Sequence, residues 1–331
     1  MPANVPSPPD PSTHRPGTPS DAASVAAPPV PPQFELAARS CPVCGATDAE
    51  PFAPANFDPA ALNAFAFASR KLPEYMHHAL VVCRRCDLLY ANPAPTREAL
   101  ERAYRDAAFD AATESRHASL TYGSFLPRIA KRLSGRAGAL DIGTGDGAFL
   151  EQLLAHGFTD VVGVEPSAAP VAMAAPQVRP LIRQAPFRAD QFSAESFELV
   201  TCFQTIEHVF DPLQLCRDVH GLLRPGGAIF IVCHNRRALL ARAMGLKSPI
   251  FDLEHLQLFS PKSVRAVLMS AGFSRVEVRP VINRYPLSYW TRLSPLPAAL
   301  KTRTLTALQA SGLGRVPLPA PVGNLAAVAY K

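Results

Sequence analysis

Along the second half of the chain, short apolar runs alternate with stretches whose apolar residues recur every three or four positions. This is the pattern of buried strands separated by amphipathic helices. Strands are expected near residues 138–142, 160–165, 180–183, 197–203, 227–233, 274–280 and 324–330. Phe149, Leu150, Leu153 and Leu154 mark a helix directly after the first of these. Asp211-Pro212 reads as an N-cap followed by proline at the first helical position, and Pro225-Gly226-Gly227 closes that helix. Ser260-Pro261 opens another helix, which ends near Gly272. Upstream, Thr96 caps a helix to about Asp106, and a further helical region runs from about Ser115 to Leu133. Strand and helix in alternation build an open, mostly parallel sheet with helices on both faces.

The first third is organised differently. Residues 1–33 are rich in Pro, Ala and Ser with few large apolar side chains, too few to offset the entropy of ordering, so a disordered tail is expected. Two Cys-x-x-Cys pairs follow, Cys41/Cys44 and Cys83/Cys86. A tight turn between two cysteines points both thiolates at one cation, and two such knuckles complete a tetrahedral four-sulfur site. Zinc suits these ligands, although iron also accepts four thiolates. A closed site of this kind is structural, and it defines a module over 34–95 with a loop from about Glu50 to Leu80 between the knuckles. His77 and His78 are superfluous to that shell. The aromatic and basic stretch Asn63 to Glu74 is a substrate-facing lid or packing between domains.

Length and charge narrow the picture. A chain of 331 residues has room for an ordinary domain, here 96–331, and a smaller companion. The net charge of +6 comes from dispersed arginines without a run of like charge, which argues against a nucleic-acid partner. There is neither an apolar stretch long enough for a membrane span nor the pattern of a secretory signal, so a cytoplasmic protein is expected. Cys202, Cys216 and Cys233 fall in apolar contexts and read as core thiols.

Candidate chemistry centres on Ala139 to Phe149, Ala-Leu-Asp-Ile-Gly-Thr-Gly-Asp-Gly-Ala-Phe. This is a strand, a glycine turn and a helix start, where backbone N–H groups are free to meet a polar ligand head. Gly143-x-Gly145-x-x-Ala148 also fits a dinucleotide fingerprint, with Glu165 about twenty residues on. Asp141, however, places negative charge where a pyrophosphate would lie. A cationic, phosphate-free ligand bearing a ribose, S-adenosylmethionine, fits Asp141 and Glu165 better. With Thr201 to Pro212 and Leu223-Arg-Pro-Gly-Gly227, the last two thirds of the chain resembles the class I S-adenosylmethionine-dependent methyltransferases.

That resemblance implies a seven-stranded Rossmann-like sheet whose last strand, Asn324 to Tyr330, runs antiparallel between its two predecessors. It also implies roles. Asp141, Gly143, Thr144, Gly145 and Gly147 would take the methionine portion, Glu165 the ribose diol and Pro166 the adenine face. Gln184 falls where the adenine edge is usually read, and Gln204 and Thr205 face the methionine moiety or the acceptor. Arg116, His117 and Tyr122, on the helices before the first strand, are candidate acceptor contacts. Residues 281–322 would be an excursion over the strand ends, with a helix near Pro297 to Ala310 that helps enclose the acceptor.

Methyl transfer from a sulfonium is an in-line displacement in which positioning supplies much of the acceleration. Where the acceptor must lose a proton, His208 and His255 are the candidate bases. The expected acceptor is a small molecule: a saccharide, a lipid-linked or a secondary-metabolite intermediate. A zinc module ahead of such a domain also resembles nucleotide-sugar C-methyltransferases, which carry a further C-terminal domain. Competing readings are an RNA methyltransferase that uses the knuckles as its nucleic-acid contact, a non-catalytic scaffold, and a nicotinamide-dependent oxidoreductase. Oligomeric state is not legible.

Overall fold

The sheet predicted by the apolar pattern is present in the computed structural model, which describes residues 35–56, 75–105, 112–294 and 296–331. The expected tail over 1–33 and the 63–74 stretch lie outside the described residues. The cysteine-bearing part contributes β1 (Leu36–Ala37), β2 (Ala49–Ala53), β3 (Leu80–Cys83), β4 (Leu89–Ala91) and β5 (Ala94–Pro95). Three helices follow: α1 (Arg97–Arg105), α2 (Ala112–Gly123) and α3 (Leu126–Ala130). The main fold then runs β6 (Ala139–Ile142), α4 (Ala148–Ala155), β7 (Val161–Val164), α5 (Ala168–Met173), β8 (Ile182–Arg183), β9 (Phe197–Phe203), α6 (Pro212–Leu222) and β10 (Leu223–His234). It ends with α7 (Leu239–Met244), β11 (Gln257–Leu258), α8 (Pro261–Ser270), β12 (Arg275–Pro286), α9 (Leu287–Leu293), α10 (Ala298–Ala310) and β13 (Pro317–Tyr330).

Seven strands form the main sheet in the order β12-β13-β10-β9-β6-β7-β8. Pairings among β6 to β10 are parallel, and β13 lies antiparallel between β10 and β12. This is the Rossmann-like methyltransferase fold.

Period-two alternation explains the two cores. Leu140, Ile142, Val200, Cys202, Ile229 and Ile231 face one side and pack with Cys216 and Val219 of α6 and Val264 and Leu268 of α8. Ala139, Leu199, Ala228, Phe230 and Val232 face the other and meet Tyr122, Leu126, Phe149 and Leu153 from α2, α3 and α4. Cys202, Cys216 and Cys233 are fully buried in the first core.

Helix starts follow local chemistry. Asp211 Oδ1 accepts from the Gln214 N–H at 2.9 Å, with Pro212 at the first helical position. Ser260 and Ser263 form a reciprocal capping box on α8. The helical region expected as one piece over 115–133 breaks at Ser124–Phe125 into α2 and α3. Pro127 is the cause, because a proline lacking an N–H is tolerated in a first turn and not in a helix interior.

The last two strands extend well past their expected ends. Beyond Asn324, where β13 leaves β10, it continues paired with β12 through Asn283↔Ala320 to Pro286↔Pro317. A two-stranded ribbon accepts alternate prolines such as Pro317, Pro319 and Pro321, because every second N–H of a strand points away from its partner. This ribbon carries α9 and α10 at its far end.

The small sheet has the order β11-β4-β3-β2. Its fourth strand is Gln257–Leu258, which pairs antiparallel with Tyr90 and Leu89. The strand β2 takes up the start of the loop expected from Glu50, so the connection between the knuckles begins after Ala53.

Candidate functional site

The turn after β6 takes positive φ at Gly143 (73°), Gly145 (57°) and Gly147 (75°), and Gly147 caps α4 from a left-handed conformation. A Cβ at Gly143 would stand 2.3 Å from Thr205 Oγ1, so this glycine lets the turn lie against the end of β9. A Cβ at Gly145 would meet no atom of the described residues within 4 Å. Space beside bare backbone is what a ligand approaching the main chain requires.

Glu165 follows β7 and is buried. Its Oε2 accepts from the Gly145 N–H at 3.0 Å and its Oε1 from the Ser167 N–H at 2.9 Å, while burial raises its pKa. Each oxygen keeps a further lone pair for a hydroxyl donor. Asp141 lies beneath the turn rather than on it: Oδ1 accepts from Thr201 Oγ1 at 2.6 Å, and burial pushes its carboxyl up to about 6. Thr144 Oγ1 and Gln204 Oε1 are buried polar atoms without a hydrogen-bond partner among the described residues. Gln204, at positive φ just past β9, donates from Nε2 to Tyr122 Oη at 3.4 Å. Pro166 is half-buried beside Glu165, and Gln184 is exposed after β8. Open backbone, paired acceptors and orphaned polar atoms at one set of strand ends fit a polar ligand with a diol. Among the earlier acceptor candidates, Tyr122 is buried at this site, His117 meets the edge of the Tyr285 ring at 6.1 Å, and Arg116 is exposed.

The two candidate bases come together. His208 and His255 have ring centroids 4.9 Å apart, and His234 stands another 4.9 Å from His255. His208 Nδ1 lies 3.1 Å from the Glu254 carbonyl, which can only accept, so this nitrogen carries the proton of the neutral ring. His255 Nδ1 is 2.9 Å from the Ile250 carbonyl, which by the same reasoning leaves Nε2 with the lone pair, 3.9 Å from Glu254 Oε1. Burial holds both His208 and His234 down to about 4. Glu207, fully buried, accepts the His234 N–H at 2.6 Å and is pushed up to about 8 by desolvation.

Sequence reasoning passed over three side chains here, Ser115, Tyr104 and Arg39. Ser115 donates to Asp146 Oδ1 at 2.6 Å, tying α2 to the glycine turn. Tyr104 joins the two halves of the site. Its carbonyl accepts from Ser167 Oγ at 2.5 Å, and its hydroxyl donates to Glu254 O at 3.2 Å and lies 3.0 Å from His208 Nδ1. Arg39, two residues before the first knuckle, reaches Ala91 O, Phe210 O, Leu256 O and Gln257 Oε1. It thus binds both segments that carry the histidines, and burial lowers its pKa to about 10. No local motif announces such residues, because their partners lie far along the chain.

The four cysteines converge as the knuckle spacing predicts. Sγ atoms of Cys41 and Cys86, and of Cys44 and Cys83, are 3.5 Å apart, and all four lie within 4.8 Å of one another. Four sulfurs about 2.3 Å from one ion would form a tetrahedron of roughly 3.8 Å edge, so the set fits a four-thiolate ion. Each knuckle turns through a left-handed residue, Gly45 in the first and Asp87 in the second. Asp87 pairs with Arg236 and Arg237, which fastens the second knuckle to the end of β10. His77 and His78 are buried but stand outside the four-sulfur set.

Comparison with known proteins gives matches of the same kind. Residues 115–278 match the family described as methyltransferase domain. The ubiquinone biosynthesis O-methyltransferase of Pseudomonas syringae pv. tomato is 34% identical over 29% of this chain and 44% of its own length. That of Aeromonas salmonicida is 28% identical over 45% of this chain and 69% of its own. Among solved structures, a methyltransferase of Thermotoga maritima, described as a possible histamine N-methyltransferase, covers 66% of this chain and 91% of its own at 19% identity and a TM-score of 0.43. The chain spans less than half the length of the first of these curated relatives.

Proposed function

We propose, from the premise that residues 115–278 are an S-adenosylmethionine-dependent methyltransferase domain, that this chain transfers a methyl group to a small-molecule acceptor. The observation that carries the reading is the open backbone at Gly145 beside the doubly bonded Glu165 carboxylate. Bound there, S-adenosylmethionine supplies an electrophilic methyl on a sulfonium. Glu165 would hold the ribose hydroxyls, Pro166 would pack near the adenine with Gln184 at its edge, and Gly143, Thr144, Gly145 and Gly147 would cradle the methionine end. Asp141 adds negative potential from beneath the turn, and Gln204 orients the methionine end or the acceptor.

Rate acceleration comes from alignment, with an acceptor proton taken by His255 Nε2 or His208. Burial, which holds His208 down to about 4, keeps that ring neutral near pH 7, the form a base needs. The relatives named for ubiquinone biosynthesis act on a small molecule, which agrees with this choice of acceptor class. The cysteine cluster is read as a structural zinc site.

Calorimetry with S-adenosylhomocysteine tests the cofactor reading: binding is expected for the wild type and is weakened at least about tenfold in Glu165→Ala. Protection from heat by NAD and not by S-adenosylhomocysteine would replace it with an oxidoreductase. The acceptor is then sought with methyl-labelled cofactor and a host metabolite extract, followed by mass spectrometry.

A further inference from the structure

Helix α10, thirteen residues long, has no buried residue. Leu300 on this helix, and Leu313, Val316 and Leu318 on the return to β13, stand 40–55% exposed. A second element rises from the same end of the sheet. α7 begins beside β13, where Ala238 Cβ lies 2.9 Å from the position a Cβ on Gly323 would take, and its Leu239 is 82% exposed. A cavity of about 740 Å³ opens between α9 and α10, with Leu305 and Leu308 in its wall and Arg292 and Arg315 beside them.

Charge on these elements has one sign. No Asp or Glu follows Glu277, whereas Arg284, Arg292, Lys301, Arg303 and Arg315 do. Between Asp218 and Asp252 there is likewise no acidic residue, and Arg242 and Lys247 flank the exposed leucines of α7. Leucines standing clear of a protruding helix and turn, ringed by cations, match an interface that is apolar at depth and anionic at its surface. A second copy of the chain would bring like charge against like.

We propose that α10, its return turn and α7 dock this protein on an anionic lipid bilayer, with the leucines entering the interface and the arginines meeting headgroup phosphates. This does not depend on the methyltransferase reading. It places the far end of the β12–β13 ribbon against the membrane surface.

The chain's only tryptophan makes the proposal directly testable. Trp290 sits on α9, packs against Tyr285 and Tyr289, and donates to Leu318 O at 3.0 Å. The purified full chain is mixed with phosphatidylglycerol vesicles and with pure phosphatidylcholine vesicles, and sedimentation and quenching of Trp290 by brominated lipid are recorded. Binding at least tenfold stronger to the anionic vesicles, with quenching, is expected. The double variants Leu300→Ser/Leu313→Ser and Arg303→Glu/Arg315→Glu should each weaken it at least tenfold while S-adenosylhomocysteine binding is retained. Should a double variant fail to fold, the wild-type quenching still decides. Equal binding to both vesicles, no binding, or binding without quenching overturns the proposal. So does a concentration-dependent dimer that the leucine variant abolishes.

Discussion

A single carboxylate couples the glycine turn to the next strand. Glu165 accepts two backbone N–H groups and has lone pairs to spare, so its removal both loosens the turn and deletes the ribose partner. Glu165→Ala should weaken S-adenosylhomocysteine binding at least about tenfold, on the order of 1.4 kcal/mol, by calorimetry, with Glu165→Gln intermediate. Titration of the buried groups sets a second expectation. His78, His208 and His234 have folded pKa values near 4, below the unfolded value near 6.5, so the folded state binds fewer protons and the stability they contribute is lost as pH falls from about 6.5 toward 4. Glu207 behaves oppositely. Its folded value near 8 exceeds the unfolded 4.5, so stability is lost as pH rises through that window. Thermal melts should therefore peak near pH 6.5, and Glu207→Gln should flatten the limb above that and steepen the rise between about 4.5 and 6.5; an unchanged alkaline limb would refute the assignment. Glu165 could be found in the sequence because its distance from the glycines is characteristic. Tyr104 and Arg39 could not, since they act on residues 104 and 217 positions away.

At the scale of elements, the two knuckles and the histidine-bearing segments are one mechanical unit. Arg39 supplies donors to Ala91 O, Phe210 O and Leu256 O, so Arg39→Ala would leave buried carbonyls unpaired and cost roughly 2–5 kcal/mol, read as a lower melting temperature, with Arg39→Lys recovering part. Elemental analysis should find a single zinc ion per chain, and Cys44→Ser should lose it together with thermal stability. A metal-free protein that melts like the wild type would sink that reading. Caps were legible where one residue decides the local structure, as at Asp211 and Ser260. The break between α2 and α3 and the overrun of β12 and β13 were not. In the first case apolar spacing continues through the break, and in the second the strands are prolonged by pairing with each other across the chain.

For the whole molecule, alternation of apolar runs with helical stretches was enough to announce the seven-stranded sheet, because both faces are covered and every strand must be apolar. Its strand order is not written in any local pattern. Dispersed basic residues remain poor evidence for RNA. A salt titration with RNA should show only weak binding, while a steep decline of tight binding with salt would favour the nucleic-acid alternative.

The strand Gln257–Leu258 completes a sheet that began with Ala49–Ala53. During synthesis the cysteine-bearing hairpin emerges with one flank bare and waits for most of the polypeptide before that flank is covered. Trimming the chain to start at residue 96, as one would to obtain a minimal catalytic fragment, would strip the cover from Leu256 and Leu258, which are buried in the intact protein. Such a fragment should clump rather than work.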